Sequence, residues 1–228
     1  MSDKVFTMKR IFILLCLILG LTPLKTYGEY WAEFEMKKAL LEKVNFEVKS
    51  RLRFSGGLNE LYHYRTEVGA VVELNEFTKV GLYFENKQKM VADKWEGTNC
   101  LGLGGDLTYN LYALSLMDRN RVDYDNFEDW VYRNLLKISY PYVLAVKTGH
   151  YGHPPLIYRI GPCLDEEIYF DINETKVVEN RVTLGVQFGV LPYATFKVAG
   201  MLESKNTDTW HSIGVIVTTL EMFFLEID

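Results

Sequence analysis

The sequence lacks a hydrophobic run long enough to cross a bilayer as a helix. Its one long run, Ile11 to Leu21, falls short of the ~20 residues such a helix needs, which excludes a helical-bundle membrane protein. Cysteine is scarce. Cys16 lies inside that run, and Cys100 and Cys163 are too far apart for a CxxC or a metal motif. An exported chain can join such a pair, and the spacing leaves a Cys100–Cys163 bond open. Cys16 follows Leu15, where a lipoprotein signal wants a small residue, so no lipid-modified cysteine is expected. Histidine is equally sparse, with His63, His150, His153 and His211. Ser212, beside His211, would point to the other face of a strand, so no Ser/His/acid set forms and the chain reads as no enzyme. His150 and His153, with Tyr151 and Asp165 nearby, are spaced too loosely for a metal site, and a solvated Gly/Pro loop is preferred. No cofactor is expected. Leu101-Gly102-Leu103-Gly104-Gly105 has phosphate-loop glycines, but neither a helix nor a Lys-Ser/Thr follows.

The amino terminus has its own logic. Met8-Lys9-Arg10 is a positive n-region, Ile11 to Leu21 an apolar h-region, and Thr26-Tyr27-Gly28 a small-x-small cleavage site. Residues 1–28 therefore read as a secretory signal peptide. Cleavage before Glu29 removes Lys4, Lys9, Arg10, Lys25 and Asp3, taking the net charge from −5 to −8. Such a chain lacks the basic footprint of a nucleic-acid binder.

What the chain does have is alternation. From Lys43 to Phe54 the even positions are Val44, Phe46, Val48, Ser50, Leu52 and Phe54, while every odd position is polar or charged. Side chains of an extended strand point alternately to opposite faces, so this is a strand with one oily and one charged face. The pattern recurs. Tyr62 to Val72 opposes His63, Arg65 and Glu67, and Val182 to Val190 opposes Arg181, Thr183 and Gln187. Polar loops are expected at residues 55–59, 91–98, 125–129, 173–179 and 203–209, and short turns near residues 41, 75, 113 and 192. Leu156 to Ile172 reads as a strand bent at Gly161-Pro162. The count is eleven, and because simple antiparallel closure wants an even number, ten or twelve strands are expected. No linker or composition break divides residues 29–228, so one all-β domain follows, an antiparallel transmembrane β-barrel.

Alternation does not say which face is inside. Size argues for polar residues within, because ten or more strands around an oily centre would leave a large void. The lumen-lining candidates are Arg51, Arg53, Arg65, Glu67, Arg119, Arg121, Arg133, Glu167 and Arg181, with Glu33, Glu47, Lys49, Glu85 and Lys197 on the same face. A secreted soluble β protein is the competing reading.

Short landmarks occur in order along the chain: Glu29-Tyr30-Trp31-Ala32-Glu33-Phe34, Glu67-Val68-Gly69, Asp118-Arg119-Asn120-Arg121, Tyr132-Arg133-Asn134, Tyr140-Pro141, Asp165 to Phe170, Arg181 to Gly185, and Ile213-Gly214-Val215. In their order and spacing the chain resembles the bacterial outer-membrane barrel proteins grouped as domain of unknown function 2490. The resemblance implies a bacterial outer-membrane location, contact with outer-membrane lipid and assembly machinery, and no established activity. Val143 to Ile157 departs from the pattern as an insertion. Many bacterial barrels end in an aromatic residue that helps assembly; here Phe224 is the candidate, followed by Leu225 to Asp228. The functional expectation is a monomeric barrel, either a narrow passive channel for small solutes or a structural or interaction barrel with an ion-paired, closed lumen. A lipid-modifying enzyme ranks below both.

Overall fold

The computed structural model describes residues 29–55, 60–112, 114–126, 129–140, 159–191, 194–207 and 209–224. The expected signal peptide, the insertion with His150 and His153, and the last four residues lie outside them. Eleven strands follow one another: β1 (Glu29–Leu41), β2 (Val44–Ser55), β3 (Glu60–Glu73), β4 (Thr78–Val91), β5 (Lys94–Leu111), β6 (Leu114–Asp125), β7 (Asp129–Ser139), β8 (Arg159–Asp171), β9 (Lys176–Leu191), β10 (Ala194–Asn206) and β11 (Trp210–Phe224). Each pairs antiparallel with its chain neighbour, and β1 pairs with β11 to close the barrel.

The odd count corrects the expectation of ten or twelve. In an up-and-down chain of eleven strands the first and last run the same way, so the closing ladder is parallel, from Glu29 opposite Val215 to Lys38 opposite Phe224. Parallel hydrogen bonds are slanted but evenly spaced, so they still satisfy both edges. Side chains stitch the seam on both faces. Tyr30 Oη lies 2.5 Å from Thr218 Oγ1, Thr219 Oγ1 donates to Glu33 Oε2 at 3.1 Å, and Lys37 Nζ donates to Glu221 Oε1 at 2.6 Å.

Burial follows strand parity but runs opposite to a soluble core. In β3 His63, Arg65, Glu67 and Val71 are buried while Thr66, Ala70 and Val72 are exposed; in β4 Tyr83 and Glu85 are buried while Val80, Leu82 and Phe84 are exposed. Glu85 and Glu203 have 0% exposure and Arg121 3%, whereas Leu103 has 61% and Leu184 65%. The charged face therefore lines the inside and the oily face the outside. A small polar group interrupts the outer wall, where Asn134 Nδ2 donates to Asp118 Oδ1 at 2.8 Å and to Asn120 Oδ1 at 3.1 Å.

Several connections are shorter than the loops expected from the sequence. Residues 91–98 form no loop: Val91 pairs with Lys94 and Met90 with Trp95. The chain reverses in Ala92 and Asp93 alone, at φ 47° and 64°, the double positive φ of a type I′ hairpin turn. Likewise β9 begins at Lys176 and β10 runs on to Asn206, absorbing most of two expected loops. The turn near residue 75 is as expected, with Asn75 Oδ1 accepting from the backbone N–H groups of Phe77 and Thr78 at 2.9 Å. No bend marks Gly161-Pro162, which stay in register with Gln187 and Val186; the register shift of β8 falls at Tyr169/Phe170. Pro162 is tolerated because its backbone groups face β7 where that strand ends, its carbonyl accepting from Tyr140 N–H at 3.1 Å.

Candidate functional site: the charged lumen

The inner wall is shaped first by small residues. The Tyr83 ring lies flat against β3 and β4, where a Cβ on Gly69 would stand 2.6 Å from its Cδ1 and one on Gly81 2.5 Å from its Oη. Gly102 leaves room for Arg121 and Asp123 in the same way. Gly102 and Gly104 of the phosphate-loop look-alike thus serve wall packing. Aromatic faces then receive guanidinium groups. Arg53 lies 3.8 Å, Arg51 4.6 Å and Arg181 5.0 Å from the centre of a Trp31 ring; Arg181 and Arg133 lie 4.7 Å and 4.9 Å from Tyr169, and Arg121 4.5 Å from Tyr83.

Ion pairs extend across the middle. Glu167 accepts from Arg133 Nη2 at 2.8 Å and from Arg181 Nη1 at 3.0 Å, and Arg181 Nε also donates to Glu203 at 3.1 Å. Arg121 Nη1 donates to Glu67 at 2.7 Å. Arg133 reaches Glu85 at 3.7 Å and Arg53 reaches Glu203 at 3.6 Å. The last three pairs join β6 to β3, β7 to β4 and β2 to β10, each three strands apart around the wall. Such partners meet only across the interior. Strands ~4.8 Å apart and tilted by ~40° give an eleven-stranded barrel a backbone diameter of about 22 Å and put strands three apart about 17 Å from each other across the interior, a chord that an arginine and a glutamate close by meeting head to head.

Two spaces flank this septum. The lower, about 160 Å³, lies towards the rim where β1 ends, and the upper, about 240 Å³, towards the rim where β2 ends. Arg65, Arg133 and Arg181 border both and so stand between them. Of the nine candidates named from the sequence, Arg51, Arg65, Glu67, Arg119, Arg121, Arg133, Glu167 and Arg181 border the lower space, and Arg53 the upper. Arg119 is turned aside into a bidentate pair with Asp106, at 2.6 Å and 2.7 Å. Sequence reasoning missed Glu203, placing it in a loop, although its odd-numbered parity with Lys197 and Met201 carries the signal.

Cys100 and Cys163 are both free. Cys100 pairs with Asp125 near the upper rim and Cys163 with Ser139 near the lower one, so they stand at opposite ends of the wall, beyond the reach of a disulfide. Among the described residues no group of three or more His, Cys, Asp or Glu side chains could hold a metal ion. Comparison with known proteins gave no match to the chain among family models, curated proteins or solved structures.

Proposed function

We propose that the chain is a bacterial outer-membrane β-barrel, non-enzymatic and monomeric, whose lumen is shut at mid-height by ion pairs, so that it serves as a structural or interaction barrel. The observation that carries this reading is the inversion of burial together with the chords of charge. Leu82, Phe84, Leu101, Leu103, Leu184 and Leu202 are all exposed on the outer wall, and contiguous apolar patches of such extent mark a partner or a membrane. Aromatic residues flank them. Trp95 packs 5.2 Å from Tyr64 and Trp130 4.7 Å from Tyr124 towards the upper rim, with Phe77 6.2 Å from Tyr109 towards the lower. On β7 the outward Trp130 and Tyr140, just past the strand's end, are ten residues apart. At ~3.3 Å per residue and a ~40° tilt that separation is about 25 Å of height, the apolar band of outer-membrane barrels. The resemblance of the ordered landmarks points the same way.

A narrow passive channel is the second reading, favoured by the unfilled room on either side of the septum. Planar-bilayer recording on refolded protein separates the two. The closed barrel gives no conductance steps as wild type and acquires them when Arg133→Ala is combined with Glu85→Ala; stepwise conductance of the wild type would reject closure. Migration on a gel with and without boiling tests the barrel in detergent, and co-flotation with lipid vesicles tests its residence in a membrane.

A further inference from the structure

Arg51 and Arg53 on β2 are register partners of Arg65 and His63 on β3, so the four form a two-by-two block on the inner wall. Like charges directly opposite in a sheet repel, and no acidic side chain lies within the block. All four side chains are at least nine-tenths buried. Each also keeps one nitrogen without a hydrogen-bond partner: Arg51 Nη1, Arg53 Nε, His63 Nδ1 and Arg65 Nε. Their acidic partners stand outside the block and engage other atoms. Glu33 pairs with Arg51 Nε, Glu203 lies 3.6 Å from Arg53 Nη1, and Glu85 lies 3.5 Å from Arg65 Nη1. Trp31 braces Arg51 and Arg53 through its ring and so occupies none of their N–H groups. Buried polar groups ordinarily find partners; unpartnered acceptors on Glu85, Asp125 and Glu179 stand outside the block, whereas inside it all four unpartnered atoms are nitrogens.

We propose that this block binds a phosphate group, free or carried as a phosphomonoester, entering from the upper space that Arg53, His63 and Arg65 border. A carboxylate offers two oxygens in one plane. A tetrahedral dianion offers oxygens in three dimensions, which suits donors on two strands at two heights, and its charge answers the surplus of cations around the upper space, where Arg53, Arg65, Lys87, Arg133 and Arg181 outnumber Asp123, Asp125 and Glu179. Guanidinium groups match phosphate through their fork of N–H donors, and His63 donates in the tautomer protonated on Nδ1.

The test titrates inorganic phosphate into the full refolded chain in detergent at constant ionic strength, read by thermal unfolding and calorimetry. A saturable rise in Tm is expected, absent with chloride or acetate. Arg53→Gln and Arg65→Gln each weaken apparent affinity about tenfold or more, while Lys79→Gln, whose partner is Glu73 away from the block, leaves it unchanged. Boiling-dependent gel migration checks closure of each variant first. If Arg53→Gln fails that check, Arg53→Lys, which keeps the charge and loses the fork, replaces it. Glycerol 3-phosphate is the second probe: binding comparable to phosphate identifies a phosphomonoester, and its failure to bind identifies the free ion. The proposal is overturned if phosphate gives no saturable shift, if chloride or acetate matches it, or if Lys79→Gln weakens binding as much as Arg53→Gln. The site needs a closed barrel but no bilayer, so failure of vesicle co-flotation would reject the membrane reading and leave phosphate binding to be judged alone.

Discussion

A buried charge in this lumen is held by several partners, so removing one side chain leaves the others exposed to the cost. Arg181 touches Glu167, Glu203 and Tyr169, and lies against Trp31. Arg181→Leu would take a buried partner from both Glu167 and Glu203, leaving Glu203, which has no exposed surface, to Lys205 and the more distant Arg53. Breaking a buried pair from one side costs about 3–5 kcal/mol, whereas replacing both partners by apolar groups is often neutral. Denaturant unfolding in detergent should therefore show a large loss for Arg181→Leu and a recovery of part of it in Arg181→Leu with Glu203→Leu. Tyr83 offers a steric counterpart. Gly81→Ala sets a methyl 2.5 Å from its hydroxyl, and overpacking of that kind costs about 1–3 kcal/mol. Combining it with Tyr83→Ala should remove the penalty of the alanine at residue 81, a coupling that a double-mutant cycle reads directly.

At the level of the strand, the β4–β5 turn is one place of conformational strain, where Ala92 has φ 47°; Tyr112 and Thr175, at φ 55° and 53°, mark two others. Alanine pays ~1–2 kcal/mol in the left-handed region, and asparagine is favoured at the first position of a type I′ turn. Ala92→Asn is expected to raise stability by about 0.5–1 kcal/mol in a thermal or denaturant melt. The same hairpin explains which parts of the fold were legible. At mid-height the two faces have opposite chemistry, and period-two alternation in the sequence coincides with β2, β3 and β9. Towards the upper rim both faces carry polar side chains and alternation fades. Lys94 to Thr98, Lys176 to Glu179 and Glu203 to Asn206 are paired strand whose composition resembles loop. That is why Glu203 went unnoticed as a member of the septum. Closure was misread for another reason: the strand count of eleven was legible and implies a parallel seam, but alternation within a strand carries no information about which strand pairs with which, so antiparallel closure was assumed. The chords of charge were hidden likewise, because they join residues of strands that are not neighbours.

For the whole molecule the decisive quantity is what the outer wall touches. In a bilayer, a charge placed on the lipid face costs about 2–4 kcal/mol at mid-depth and about 0–1 kcal/mol near an interface. On a wall bathed in water the same change would cost little at either height, since exposed substitutions usually stay within ~0.5 kcal/mol. Leu103 and Tyr109 lie on the same outward face of β5, 61% and 54% exposed. Leu103 is mid-strand, and Tyr109 stacks with Phe77 near the lower rim. Leu103→Arg should therefore lower unfolding stability in lipid vesicles by about 2–4 kcal/mol and Tyr109→Arg by no more than about 1 kcal/mol. The two variants differ in depth, while exposure and secondary structure are shared, so a graded loss reports the lipid itself. Equal, small effects at both positions would mean that the oily face meets something other than a bilayer, and the outer-membrane reading would fall even though the barrel stood.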